Sequence, residues 1–482
     1  MKSTAIHLFG ILLLAALALP PAAEAARAKS AKKAKAEKAS APAVTAAPAE
    51  KEVPAAEAPA PLAQAFRFGG DFRLRQEAMD NVPMKTGAYS RGGLNDYFRF
   101  RTRVWGRFAP SEKAAVNARL MHEVRQYVDP SSGSAYEWPD ELAFDNLNVA
   151  LKFADGAVDV VAGRQDLMFP DTERLLGEGT AKDGSRSAYM DAVSAVVRMN
   201  EGRTRLNAFA AYDNAVDPLA IGNVDRDLNG YTPNDTGMDE AGAGAFLRQA
   251  LGEEAWVQGY YLWKHDTAWR DGTGTRHEHE DIHTVGARGR MPLPGIDGLS
   301  ASAEVAGQWS PASDEDRRAM MAAAGLQQAF PDAAGKPFVG VQGLYLSADD
   351  PDTDANEGWN PLWARYPWIS ELMIYAYDAD GAGLWQNLAY GWLEAGFAPA
   401  KGQKVKASVG YLSAPEADGA GGGHERGWLA MVRYDFPLWA SKAREGMKVY
   451  GHLQAEGLKP GDYYADEDRV GFFLRWELTF AF

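Results

Sequence analysis

Arginines recur at every second position in the first segments of the folded part of the chain. Arg99, Arg101, Arg103 and Arg107 alternate with Phe98, Phe100, Val104 and Phe108, Arg73 and Arg75 with Phe72 and Leu74, and Arg119 and Arg125 oppose Leu120 and Val124. A guanidinium facing the bilayer midplane costs about 2–4 kcal/mol, so these rows must turn away from hydrocarbon, toward water. They would make one wall of a pore basic. At a constriction, each 1.4 kcal/mol or so of favourable potential enriches an anion about tenfold, although in saline the effect fades over about 8 Å. The chemistry is therefore selection and passage of an acidic solute through many exchangeable contacts, with no bond made or broken. A plainer reading stands beside it: Asp71, Glu77, Glu123, Glu304, Glu394, Glu456 and Glu477 are available to neutralise the arginines one by one and fill space.

Other candidate sites carry less. His277, His279 and His283 offer metal-ligating nitrogens, but they flank a Gly-rich turn, where polar loop composition explains them. The acid-rich loop from Asp349 to Glu357 could take up Ca²⁺ or bridge to lipopolysaccharide through cations, without the twelve-residue pattern of an EF-hand. Gly419 to Gly423 is followed by no helix that would cradle a phosphate. No nucleophile–base pair stands out among eight His and no Cys, so an enzyme is not expected. No cofactor is expected either.

The elements that must hold the arginines read in period two rather than 3.6. The chain has 482 residues, 46% hydrophobic and 24% charged, with 49 Gly, 39 Tyr plus Phe, and 14 Trp. The final segment is the clearest: Val470, Phe472, Leu474, Trp476, Leu478, Phe480 and Phe482 fall on one side, and Gly471, Arg475, Glu477 and Thr479, with Phe473, on the other. A soluble sandwich also alternates, but these segments are long enough for a tilted bilayer crossing. Aromatics such as Trp256, Tyr261 and Trp263, or Trp428, Tyr434 and Trp439, gather near segment ends like interfacial girdles. The expectation is an all-β transmembrane antiparallel up-and-down barrel of about 18 strands, 16 being possible. The stretches are 66–76, 97–108, 114–126, 143–154, 157–166, 189–200, 203–213, 243–250, 254–264, 281–291, 298–310, 336–347, 367–378, 385–398, 403–413, 426–437, 446–457 and 467–482. That number leaves a water-filled lumen. A chain ending on an amphipathic strand at Phe482 also suits the outer-membrane barrel-assembly machinery.

Upstream, Met1-Lys2, the apolar run Ile6–Leu19 and Ala23-Glu24-Ala25 form a secretory signal, with cleavage expected after Ala25. Residues 26–64, rich in Ala, Lys, Glu and Pro, cannot bury enough apolar surface to fold and read as a disordered periplasmic spacer; residues 65–482 form the barrel. Residues 1–65 carry eight Lys or Arg against five Asp or Glu, so the remainder holds −18 of the net −15. That acidity argues against a nucleic-acid partner.

Several strings are similar to a known family. Phe68-Gly69-Gly70-Asp71-Phe72-Arg73-Leu74-Arg75 resembles the first strand of the alginate export porins, as do Tyr97-Phe98-Arg99-Phe100-Arg101-Thr102-Arg103, Gly163-Arg164-Gln165-Asp166-Leu167, the stretch from Gly177-Glu178-Gly179-Thr180 to Asp191, and the loop Asp349-Asp350-Pro351-Asp352 with Trp359-Asn360-Pro361-Leu362. The resemblance covers most of residues 66–482 and omits the spacer. It implies a monomeric 18-stranded barrel in the outer membrane whose arginine-rich constriction passes a uronate polysaccharide outward. The lumenal positions it carries over are Arg73, Arg75, Arg101, Arg103, Arg125 and Arg164, with Asp71, Glu123 and Asp166 as acidic partners and Arg365 after the Asn-Pro-Leu motif. Two other readings stand beside it: an uptake porin for small carboxylates or sugar acids, and a non-conducting surface barrel plugged by its own loops.

Overall fold

The computed structural model describes residues 65–83, 95–128, 136–177, 179–180, 187–188, 190–214, 219, 221, 239–270, 276–277, 279–311, 316–364, 368–372, 385–442, 444, 446–465 and 468–482. The expected signal and spacer, and Arg365, lie outside these residues. Among the described residues no helix is long and apolar enough to cross a membrane.

Eighteen strands form a single closed antiparallel ring. The first nine are β1 (Phe66–Asp80), β2 (Asn95–Ser111), β3 (Ala114–Tyr127), β4 (Tyr136–Phe153), β5 (Val158–Gln165), β6 (Met190–Met199), β7 (Thr204–Asp213), β8 (Glu240–Ala250) and β9 (Trp256–Asp266). The second nine are β10 (Glu280–Pro292), β11 (Leu299–Ser310), β12 (Asp316–Ala329), β13 (Phe338–Leu346), β14 (Leu388–Phe397), β15 (Lys404–Ser413), β16 (Glu425–Ala440), β17 (Lys448–Lys459) and β18 (Gly471–Ala481). Each pairs with the next, and β18 closes on β1 in the register Arg75 with Glu477 and Glu77 with Arg475. An even number puts both strand ends, Phe66 and Ala481, at the end that carries short turns such as 111–114 and 199–204. In outer-membrane barrels short turns mark the periplasmic side.

Alternation sorts the side chains as a bilayer demands. Phe66, Phe68, Phe72, Val104, Phe108, Val116 and Leu474 are exposed on the outer wall, while Arg73, Arg75, Arg99, Arg101 and Arg475 are buried on the inner one. Trp428 and Trp439 stand exposed at the two ends of β16, at girdle positions. The Gly69-Gly70 pair has a steric reason. A Cβ on Gly69 would lie 2.5 Å from the Phe482 carbonyl oxygen and from the Trp105 ring. The seam is tied there by Gly70 N–H to Phe482 O and Phe482 N–H to Gly70 O, both 3.0 Å.

The strand number agrees with expectation through two compensating errors. β12, Asp316–Ala329, was not anticipated: its central Met320 to Gly325 is nearly all small or apolar, so hydrophobicity does not alternate. It is held as a strand by ladders to β11 and β13, tertiary context outweighing local pattern. Conversely, the stretch expected at 367–378 is no strand over its described part; residues 368–372 form a bend and a helical turn. The alternation of Trp368, Ile369 and Leu372 reflects packing inside the barrel, where Leu372 is buried and the other two lie against the same cluster.

An 18-stranded ring is too wide for side chains from the wall alone to fill, and two connections fold inward. After β5, Leu167, Leu175 and Leu176 are buried; after β13, Trp359, Leu362, Trp363 and Trp385 are buried. The two meet at a parallel bridge between Leu176 and Trp363, and Trp363 packs edge-on against Phe209 with centroids 5.6 Å apart. The Gln308 amide on β11 anchors the second connection by donating to the backbone carbonyl of Asn360 at 2.8 Å and accepting from its backbone N–H at 2.9 Å. This plug rests on inward apolar residues of β7 to β16, among them Phe246, Leu262, Ile282, Met321, Leu344 and Leu412. The interior is thus divided: apolar and plugged on that side, rich in arginine on β18, β1, β2 and β3.

Candidate functional site

The ladders of β1, β2 and β3 set arginines directly across from arginines. Arg73 faces Arg101, Arg75 faces Arg99, and Arg99 faces Arg125. Like charges opposite one another destabilise a sheet, so the wall survives only because carboxylates sit between the rows. Glu123 accepts from Arg73 at 3.1 Å and from Arg99 at 3.0 Å. Glu477, across the seam, accepts from Arg75 at 2.7 Å and lies 3.9 Å from Arg73. Glu77 contacts Arg75 at 3.3 Å, Arg99 at 3.6 Å, and Arg475. Asp71 accepts from Arg103 at 2.9 Å and lies 3.6 Å from Arg101. Arg125 stacks 4.9 Å over the Tyr97 ring and donates to the Tyr127 hydroxyl at 3.1 Å.

Among the described residues, seven guanidiniums (Arg73, Arg75, Arg99, Arg101, Arg103, Arg125 and Arg475) stand beside four wall carboxylates, Asp71, Glu77, Glu123 and Glu477. A fifth is brought in by the plug: Glu371 Oε1 lies 2.7 Å from Arg475. Its segment is pinned to Glu456 of β17, whose carboxylate accepts from the Ser370 hydroxyl at 2.6 Å and from the backbone N–H groups of Glu371 and Leu372 at 3.1 and 3.2 Å. Glu371 lies outside the spanning strands. Burial pushes its carboxyl up to about 8; Arg475 opposes the shift and Glu77 adds to it. Arg101 has the least company. Its nearest carboxylate, Asp71, is engaged by Arg103, and its buried Nε and Nη1 have no hydrogen-bond partner among the described residues.

Elsewhere the lumen is balanced nearly one for one. Arg119 is held between Asp145 at 2.7 Å and Asp166 at 2.8 Å. Lys264 sits between Glu240 at 2.7 Å and Asp266 at 2.6 Å, Arg317 bonds Glu280 at 2.5 Å, and Arg174 and Arg288 share Glu304. On β18 to β3 the described arginines outnumber the described carboxylates.

Of the residues singled out in the sequence, Arg73, Arg75, Arg99, Arg101, Arg103, Arg125, Asp71 and Glu123 come together in that wall. Asp166 stands apart, paired with Arg119. Arg164 also stands apart from the wall. It is on the opposite face of β5 from Gln165, whose amide oxygen accepts from the inward Ser194 hydroxyl at 2.6 Å. Its guanidinium is closed off by Asp191 at 2.9 Å and the Phe144 carbonyl at 3.1 Å, a clamp between strands rather than a lining group. Arg475 and Glu371 were missed. Arg475 was recoverable, because a closed barrel must set its last strand beside its first; Glu371 has no local signature. His283 stacks on exposed Trp309 with centroids 5.4 Å apart, and among the described residues no group of three or more His, Asp or Glu is placed to hold a metal.

No protein-family model matches the chain, and no curated protein is significantly similar to it. Solved structures of the same fold include the outer membrane protein opdK from Pseudomonas aeruginosa, at TM-score 0.52 and 11% identity over 86% of this chain and 99% of that one. They also include Pseudomonas aeruginosa OccK2 (OpdF), at TM-score 0.52 and 11% identity over 87% of this chain and 98% of that one, and the same protein in complex with glucuronate, at TM-score 0.51 and 10% identity over the same shares. The expectation of an alginate exporter in particular finds no support among these. The fold is the closed 18-stranded barrel of outer-membrane porins.

Proposed function

We propose that this protein is an outer-membrane channel for small carboxylates or sugar acids, selected by the arginine wall of β18, β1, β2 and β3. The carrying observation is the local excess, among the described residues, of seven guanidiniums over five carboxylates, Glu371 included, in a ring whose other side is filled by a plug. A fixed cationic surplus beside a narrowed passage lowers the energy of an anion within it and raises that of a cation. Glucuronate in the complex with the structurally similar OccK2 supports an acidic sugar as the solute class. Small solutes suit the passage better than a polyuronate chain, because the two inward connections, joined at Leu176 and Trp363, interrupt the width a polymer would need. Arg101, with two unengaged donors, is the first contact we assign to the solute carboxylate.

The test is purified full-length protein in planar bilayers. Anion selectivity in a salt gradient, with concentration-dependent interruption of the current by glucuronate, is the expected result. A cation-selective pore, or one whose current glucuronate leaves untouched, overturns the proposal.

A further inference from the structure

We infer that the plug residue Glu371 occupies a carboxylate-binding subsite on the arginine wall, acting as a tethered competitor of the solute. The inference deepens the proposed function and rests on it. Four observations carry it. First, Glu371 does not belong to the wall: Ser370 and the N–H groups of Glu371 and Leu372, fastened on Glu456, deliver it there from the connection between β13 and β14. Second, what it meets is what a solute carboxylate would meet, the Arg475 guanidinium at 2.7 Å with Arg75 close by. Third, the fit is poor. Although Glu371 is only 4% exposed, Oε1 makes no aligned hydrogen bond with any described residue, and the two-pronged geometry by which guanidinium grips carboxylate is not achieved. Fourth, the groups around Glu371 oppose its charge in part: Arg475 on β18 and Arg75 on β1 attract it, whereas Glu77 on β1 repels it, as does Glu456 on β17. Next in line are Glu477 on β18 and His452 on β17, 3.7 Å apart.

A mobile carboxylate, free to turn, can align on Arg475 in a way that one held by its own backbone does not. Displacing Glu371 therefore exchanges a misaligned ion pair for an aligned one. Ionised Glu371 competes and neutral Glu371 does not. The carboxyl is ionised above its raised value and protonated below it, so competition is present at high pH and lost as pH falls through about 8. If the tethered group holds the subsite nine-tenths of the time when ionised, it weakens apparent solute affinity about tenfold.

The experiment measures interruption of single-channel current by glucuronate at pH 7.0 and 9.5. In the unaltered protein, the concentration giving half-block rises several-fold between the two. In Glu371→Gln, which keeps the shape, it stays at the lower value at both, and Glu371→Asp, which keeps the charge, retains the rise. A half-block concentration in Glu371→Gln that rises as in the unaltered protein overturns the inference while leaving the channel reading intact. Absence of block in the unaltered protein and in Glu371→Gln at both pH values overturns the functional reading itself, and this inference with it.

Discussion

Replacing Arg101, Arg103 and Arg125 together by Gln should take the wall from cation-rich to balanced or acidic and abolish or reverse its selectivity. At pH 9.5, where Glu371 is ionised, seven guanidiniums against five carboxylates among the described residues leave a surplus of two; the triple variant leaves four against five, a deficit of one. A unit charge about 8 Å from a permeating ion in water contributes about 0.5 kcal/mol. In KCl near 10 mM the screening length is about 30 Å, so little of this is lost. The surplus of two then stabilises an anion by about 1 kcal/mol, roughly sixfold in local concentration, and disfavours a cation equally. Removing three charges shifts the balance by about 1.5 kcal/mol, more than the original preference, so the sign of the reversal potential should change. In 1 M salt, where screening acts within about 3 Å, the two proteins should differ little. Loss of Arg103 leaves Asp71 without its bidentate partner, so folding needs its own readout: the shift in gel mobility between heated and unheated barrel. The corresponding triple Lys variant keeps the charge and should keep anion preference. Unchanged reversal potentials in a folded Gln triple would refute the reasoning and return these arginines to a space-filling role.

Trp363→Ala should enlarge single-channel conductance and weaken selectivity, because the indole that packs on Phe209 is fully buried where the two inward connections meet; emptying such a site costs about 3–5 kcal/mol of local packing, and unaltered conductance would place the narrowest point elsewhere. Removing Phe482 deletes two backbone hydrogen bonds across the seam, about 1–3 kcal/mol together, and should slow formation of the heat-modifiable folded species; equal assembly kinetics would show that closure does not depend on it. Gly69→Val should lower stability in urea by about 1–3 kcal/mol, as overpacking does, since its Cβ would lie 2.5 Å from both the Phe482 carbonyl oxygen and the Trp105 ring; an unshifted urea midpoint would show that the ring and chain end move aside freely.

What was legible in the sequence is what the bilayer enforces. Lipid penalises charge on one face of every strand, so alternation located the strands and the inward direction of Arg73, Arg75, Arg99, Arg101 and Arg103 without knowledge of their neighbours. Where that penalty is silent, the reading failed. β12 has small residues on both faces and is specified only by the ladders beside it, and the Trp368–Leu372 segment alternates for packing within the lumen. Arg164 was named through resemblance, and its parity on β5 places it off the lining row. Charge shows the limit most clearly. The part of the chain after residue 65 carries −18, yet the wall proposed to meet the solute has, among the described residues, more guanidinium than carboxylate, and screening makes potential a property of the nearest few groups rather than of the total. Which acids are nearest depends on barrel closure, which brings Glu477 and Arg475 beside residues some 400 positions earlier, and on an inward connection that supplies Glu371. A pore's selectivity is therefore set by contacts of the longest sequence separation in the molecule, the class that a local pattern encodes least.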